Sequence, residues 1–330
     1  MSFLPQTPAD VERAGLAGFI CDVSERATVR GADGAVTQVR TFEACDRSLD
    51  AAIVRIRAHF PHAYVVEDGR SVASDPRCGI VLQFQSCEAI GSDLSRLAYF
   101  HSKGLRILQI THNYNNAFGG ACFEPVQSGL TPLGHQAVAE MRRVRLLPDI
   151  SHAAEPTALD VLGLGGGPVI LSHGACRSLL DNPRCATDGM IRGVAESGGV
   201  MGVFMMAFWL TRRDPPSVED YVNHLRHVAR VGGIESVGVA NDFPMAGHAA
   251  SAQRGRREGV KEYEDWWRKM DRRGVAGFGV TPTSAVIPWF NSIHRLERIC
   301  DTLRRTGFRA SDIDKIMGGN WRRVIAEAVR

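Results

Sequence analysis

The sequence has no Cys-x-x-Cys pair, no long apolar run, almost no net charge and no leader-like start. Its eight cysteines, Cys21, Cys45, Cys78, Cys87, Cys122, Cys176, Cys185 and Cys300, are scattered. That spacing argues against a thiolate zinc site or a disulfide framework, and in a reducing compartment they read as free, mostly buried thiols. The longest apolar stretch, Gly198 to Leu210 (GGVMGVFMMAFWL), is shorter than the ~20 residues that cross a bilayer, and its aromatics suit a buried strand. No membrane partner is expected. Thirty-nine Lys and Arg against 36 Asp and Glu leave a formal charge of +3. No basic run stands beside interleaved aromatics, so no nucleic-acid partner is expected either. The start, MSFLPQTPADVERAG, lacks a basic segment followed by an apolar core, which sets a cytoplasmic location as the expectation.

What is present is a rhythm. Short apolar runs alternate with polar segments of helical period: AGFICD (17–22), GIVLQFQ (79–85), LRILQITH (105–112), RLLPDISH (145–152), PVILSH (168–173), GVMGVFMMAF (199–208) and SVGVANDF (236–243). Helices are predicted between them over 131–143, 155–162, 187–197 and 217–230. Repeated strand-then-helix units imply a parallel sheet with helical crossovers. Seven or eight in one chain favour an α/β fold of the (β/α)8 TIM-barrel type over the alternative, a doubly wound sheet. One domain over 1–330 is expected. It carries an irregular insertion at 31–77 around a helix from Ser48 to His59, a charged loop and helix over 248–274, and a closing helical segment at 312–330 around Gly318 and Gly319. The glycines of GLGGGP (163–168) precede a strand instead of following one, so they mark a helix-to-strand connection and not a phosphate loop.

In a parallel barrel the strand C-termini converge on one rim, where active sites lie. The polar residues ending the runs are Asp22, Gln85, His112, His152, His173 and the pair Asn241-Asp242. Histidines and carboxylates at successive strand ends are the material of a metallohydrolase, in which imidazole nitrogens hold Zn²⁺ and an open position holds water. Ser-His recurs one βα unit apart, at Ser151-His152 and Ser172-His173, placing both rings in reach of one ion. Cys122 in GACFE and Cys176 in SHGAC read as buried structural thiols before they read as nucleophiles.

From about Gly79 onward the chain resembles the membrane (renal) dipeptidase family, binuclear zinc hydrolases on a (β/α)8 barrel related to the amidohydrolases. The segments that carry the resemblance are ITHNYNN, GLTPLGHQAVAEMRRVRLLPDISHA, PVILSHGACRSLLDNPR, VGVANDF and MGGNWRRVI, in unbroken order. It implies that His152 and His173 bind one zinc and that His112 contacts the substrate carbonyl region. It further implies that Arg184 holds a dipeptide's carboxylate, a task suited to the guanidinium fork, and that Asp242 moves protons between attacking water and departing amine, with Asn241 as a further candidate for substrate binding. A small-molecule substrate bearing a carboxylate is thus the expected partner, and a homodimer is consistent with the resemblance.

The chain departs from the family on the metal side. The family's first strand ends His-x-Asp, where this chain has Ile20-Cys21-Asp22, and the carboxylate that bridges two zincs aligns with Gln85. Two residues apart in a strand share a face, so Cys21 should point away from the site. A neutral amide in place of a bridging anion leaves two cations unscreened, which favours one ion on His152 and His173 with Asp22 or Gln85 as further ligands. Three readings follow: a single-metal hydrolase of a small amide with a free carboxylate, a binuclear zinc dipeptidase completed by Cys21, Glu88 or a carboxylate from 31–77, and a barrel that has lost catalysis and binds a small molecule.

Overall fold

The computed structural model describes residues 7–30, 36–213, 215–247, 265–275, 278–279 and 285–329. Ten strands lie among them: β1 (Gly18–Asp22), β2 (Ala27–Arg30), β3 (Val36–Val39), β4 (Ala63–Val65), β5 (Cys78–Phe84), β6 (Leu105–Gln109), β7 (Leu147–Asp149), β8 (Leu171–Gly174), β9 (Met201–Val203) and β10 (Val237–Val239). Strands β1, β5, β6 and β7 pair in parallel in that order, and β8, β9 and β10 form a second parallel set. The sets meet where the Ile150 N–H donates to the Ile170 carbonyl at 2.9 Å and the Ile170 N–H donates to the Pro148 carbonyl at 3.0 Å. Each of the seven apolar runs thus contributes one parallel strand of a (β/α) barrel. Among the described residues no strand joins β10 to β1, and no helix is long and apolar enough to cross a membrane.

The crossover helices start where side chains can cap them. Thr131 accepts from the Gly134 N–H before the helix Pro132–Arg143, and Thr187 accepts from the Met190 N–H before Asp188–Glu196. The segment 31–77 is more ordered than its irregular sequence suggests. Its described part holds β3, the helix Phe42–His59, β4 and the helix Gly69–Ser74. The first of these helices starts six residues before Ser48 because Thr41 caps it through the Ala44 N–H and Cys45, Leu49, Ile53 and Ile56 continue its buried face. Strand β2 pairs with β3 as an antiparallel hairpin outside the barrel sheet, while β4 pairs with the start of β5. Residues 248–264 of the charged loop lie outside the described residues, and a helix occupies 265–272. All eight cysteines are unpaired, and only Cys300 is not buried.

The barrel interior is layered by the two-residue period of its strands. Ile80, Leu82 and Phe84 belong to the large core under the helices, whereas Val81, Ile107, Leu147, Ile170 and Val200 form a separate apolar cluster. Ile20 packs with the second cluster and Cys21 with the first, so Cys21 does face away from the interior. Val324 and Ile325, from the closing helix Asn320–Ala328, complete the inner cluster. Two residues further along the strands the interior turns polar, with Gln83, Gln109, Asp149 and Ser172 all buried.

Asp149 is the hub of this polar layer. One carboxylate oxygen accepts from the Ser151 N–H (2.9 Å), the Ser151 hydroxyl (2.7 Å) and the Ser172 N–H (3.0 Å). The other accepts from Gln83 Nε2 and the Ser172 hydroxyl, both at 2.5 Å. Replacing it by leucine strands these buried donors, each worth about 1–3 kcal/mol when unpaired. Asp149→Leu is therefore expected to lower unfolding free energy by about 3 kcal/mol or more, and Asp149→Asn by less, as read from urea midpoints.

Candidate active site

His112 and His152 follow β6 and β7, and His173 lies in β8, so successive strand ends deliver three imidazoles to one place. The His112 and His152 rings stack at 4.4 Å with 21° between planes, and His152 Nε2 lies 2.9 Å from His173 Nε2. His152 has a left-handed backbone, φ 62°, a conformation that costs a non-glycine residue energy and that concentrates at functional sites.

The partners of the other ring nitrogens fix which atom faces inward. His152 Nδ1 lies 2.8 Å from Asn113 Oδ1, an acceptor, so Nδ1 carries the proton. His173 Nδ1 lies 2.8 Å from the Ser172 hydroxyl, whose own proton goes to Asp149, so this Nδ1 is the donor too. Both Nε2 lone pairs then point at the same spot, an arrangement that is repulsive unless a cation lies between them. Tetrahedral zinc bonds of about 2.0–2.1 Å would set the two nitrogens about 3.3 Å apart, so a small outward movement admits one ion. Burial holds all three imidazoles well below their ordinary range, helped at His152 and His173 by Arg184 and at His112 by Arg40 and Arg26. Neutral rings are the form that ligates metal. The donor set fits one ion on two imidazoles. Among the described residues no group of three His, Cys, Asp or Glu side chains is drawn together closely enough to hold one.

Arg184 borders the pair. Its NH2 donates to the His173 carbonyl at 3.0 Å, its guanidinium lies 5.2 Å from the Phe204 ring and 5.5 Å from Trp209, and it is 3% exposed. The buried Arg184 Nε has no hydrogen-bond partner among the described residues, nor has Asn241 Oδ1, although Asn241 Nδ2 donates to the Phe243 carbonyl at 2.7 Å. Asp242, with φ 84°, has its carboxyl raised above the usual range by desolvation and pulled back by Arg184, which places the two in electrostatic reach.

Asp22 forms no group of three metal-ligating side chains with His152 and His173 among the described residues, and the Asp22 carboxylate and the Gln85 backbone meet instead at Ser24. Asp22 Oδ1 accepts from the Ser24 N–H (2.9 Å) and the Ser24 hydroxyl (2.5 Å). The Gln85 N–H donates to the same hydroxyl at 3.2 Å, and its carbonyl accepts from Gln109 Nε2. Glu88 Oε2 lies 4.0 Å from Arg40 NH1. Burial pushes the Cys21, Cys122 and Cys185 thiols up to about 12 and Cys176 well above its ordinary value, so none is a thiolate at neutral pH. Asn113, Asp149, Ser24 and Arg40 were not picked out from the sequence. Only Asp149, a carboxylate two residues after Leu147 in a strand, carried a readable signal.

The family model described as membrane dipeptidase, peptidase family M19, matches residues 38–277. Dipeptidase tcpJ of Claviceps purpurea (strain 20.1) is 27% identical over 219 residues, 65% of this chain and 50% of that protein. An uncharacterized dipeptidase of Schizosaccharomyces pombe is 26% identical over 241 residues, 72% of this chain and 54% of its own. The chain thus spans about half the length of these curated relatives. An amidohydrolase structure from Pseudomonas aeruginosa aligns over 97% of this chain and 91% of its own, with TM-score 0.78 and 24% identity. A metallopeptidase from Rhodobacter sphaeroides, liganded with a phosphinate mimic of the dipeptide L-Ala-D-Ala, aligns over 98% and 89%, with TM-score 0.75 and 20% identity. These likenesses concern the fold alone, and the family match over residues 38–277 decides the assignment. The chain belongs to the membrane dipeptidase family, peptidase family M19.

Proposed function

We propose that this chain hydrolyses a dipeptide or similar small amide ending in a free carboxylate, with a single divalent ion, zinc by preference, held by His152 and His173. The observation that carries the reading is the convergence of two Nε2 lone pairs, each fixed by a partner on its Nδ1, beside a buried arginine. When bound, a divalent ion at this pair supplies an acidified water and polarises a carbonyl.

The protein's own groups do the rest. Arg184 takes the substrate carboxylate, which meets the unpartnered Nε and orients the scissile bond toward the histidines. The neutral His112 ring stabilises charge growing on the carbonyl oxygen, a role supported by its stacking on His152. Asp242 accepts the proton of the attacking water and returns it to the departing amine, a role that a carboxyl raised by desolvation performs better than an ordinary one.

Purified protein equilibrated with zinc is expected to hold one ion per chain by elemental analysis. Ser172→Ala, which frees the His173 ring, should weaken that binding by about 10–100-fold. Two ions per chain would instead favour the binuclear reading.

Across a dipeptide panel with added Zn²⁺, Mn²⁺ or Co²⁺, Asp242→Asn should lower kcat by about 100-fold or more. The wild-type acid limb should lie above the usual carboxylate range, because the proton-accepting form of Asp242 is lost as pH falls through its raised value. Arg184→Met should cut kcat/KM by about 100-fold for substrates with a free carboxylate and far less for their amides. Indistinguishable traces from wild type and Asp242→Asn would leave small-molecule binding as the better reading.

A further inference from the structure

The end of the first barrel strand holds a cation of the protein's own. Ser24 Oγ donates to Asp22 Oδ1 at 2.5 Å and accepts from Arg40 Nε at 2.8 Å and from the Gln85 N–H at 3.2 Å. One hydroxyl therefore ties together the strand-end carboxylate, the guanidinium and the end of β5. Arg40 is buried, its side chain 4% exposed, and its NH1 lies 4.0 Å from Glu88 Oε2. Asp22, through Ser24, and Glu88, directly, thus flank a single guanidinium.

The hairpin explains how the arginine arrives there. Ala27 pairs with Val39 at its base, so residues 26 and 40 are the next facing positions. Arg26 lies there too, with NH2 3.5 Å from His112 Nδ1. The hairpin inserted after β1 therefore presents two cations at the mouth, one fixed beside Asp22 and one against the imidazole stack.

A divalent ion seated against Asp22 would need Asp22 as a ligand and would stand beside this guanidinium in a partly desolvated place, where like charges repel strongly. The protein offers no relief, since Ile20 contributes only a hydrocarbon and Gln85 no charge. We propose that Arg40 is the resident cation of this half of the mouth, a charge carried by the chain itself that answers Asp22 through Ser24 and Glu88 directly and so restricts the chain to one ion at His152 and His173. This rests on the single-ion reading above. It also assigns Arg40 a positioning role, because its bond to Ser24 holds the end of β1 against the end of β5.

The test counts ions, by equilibrium dialysis against zinc and elemental analysis, in variants that supply the missing donors. Ile20→His with Gln85→Glu should take up no more zinc than wild type while Arg40 is present. Adding Arg40→Met to that pair should raise uptake by one ion per chain, and adding Arg40→Lys, which keeps the charge, should not. If the methionine variant loses its near-ultraviolet circular dichroism, Arg40→Gln, which retains a donor for Ser24, takes its place. A second ion bound with Arg40 intact, or no gain when its charge is removed from a folded variant, overturns the inference. A wild-type protein that binds no zinc would instead sink the single-ion reading, because the gain on removing Arg40 is read independently of the first site.

Discussion

One buried carboxylate disciplines the chemistry at the barrel mouth. Asp149 gathers hydrogen bonds from Gln83, Ser151 and Ser172, three residues on three strands or their ends. The Ser151 hydroxyl, committed as a donor to Asp149, accepts from the His173 N–H at 3.1 Å. The Ser172 hydroxyl, committed the same way, must accept from the His173 ring. Proton direction therefore propagates outward from the interior: an anion that can only accept sets two hydroxyls, and a hydroxyl sets an imidazole tautomer. His152 gets its orientation separately, from Asn113 and from a left-handed backbone.

The electrostatics of the mouth follow from what surrounds those rings. Three imidazoles kept neutral by burial stand near three guanidiniums, Arg26, Arg40 and Arg184, while Asp22 accepts from Ser24, Glu88 pairs with Arg40, Asp149 accepts from Ser151 and Ser172, and Asp242 lies in the field of Arg184. On the proposed reading, a cation is favoured where the Nε2 atoms of His152 and His173 converge.

Much of this was legible in the sequence, for a definite reason. In a parallel barrel, chain direction alone puts the residue after an apolar run at the active rim, so Asp22, Gln85, His112, His152, His173, Asn241 and Asp242 could be named without knowing any contact. The alternation of side chains likewise predicted that Cys21 would face outward. Strand β4, three residues long, is too short for a period to register, and the start of the helix Phe42–His59 was hidden by charges on its exposed face. Arg40 was out of reach because its proximity to Ser24 depends on how a hairpin folds back, a pairing across 31–35 that no local pattern encodes. Asp149 was passed over for the opposite reason: its spacing from Leu147 announced an inward side chain, but a carboxylate inside a barrel contradicts the usual preference of Asp for solvent.

The closing helix has a bearing on the protein's birth. Val324 and Ile325 complete the apolar layer formed by Val81, Ile107, Leu147, Ile170 and Val200, so strands made early in translation wait for a plug made more than two hundred residues after the first of them. Until that segment emerges from the ribosome, the lower end of the barrel presents a greasy opening to the cell. The inner layer is therefore sealed late, only when the helix Asn320–Ala328 docks under strands that precede it by most of the sequence.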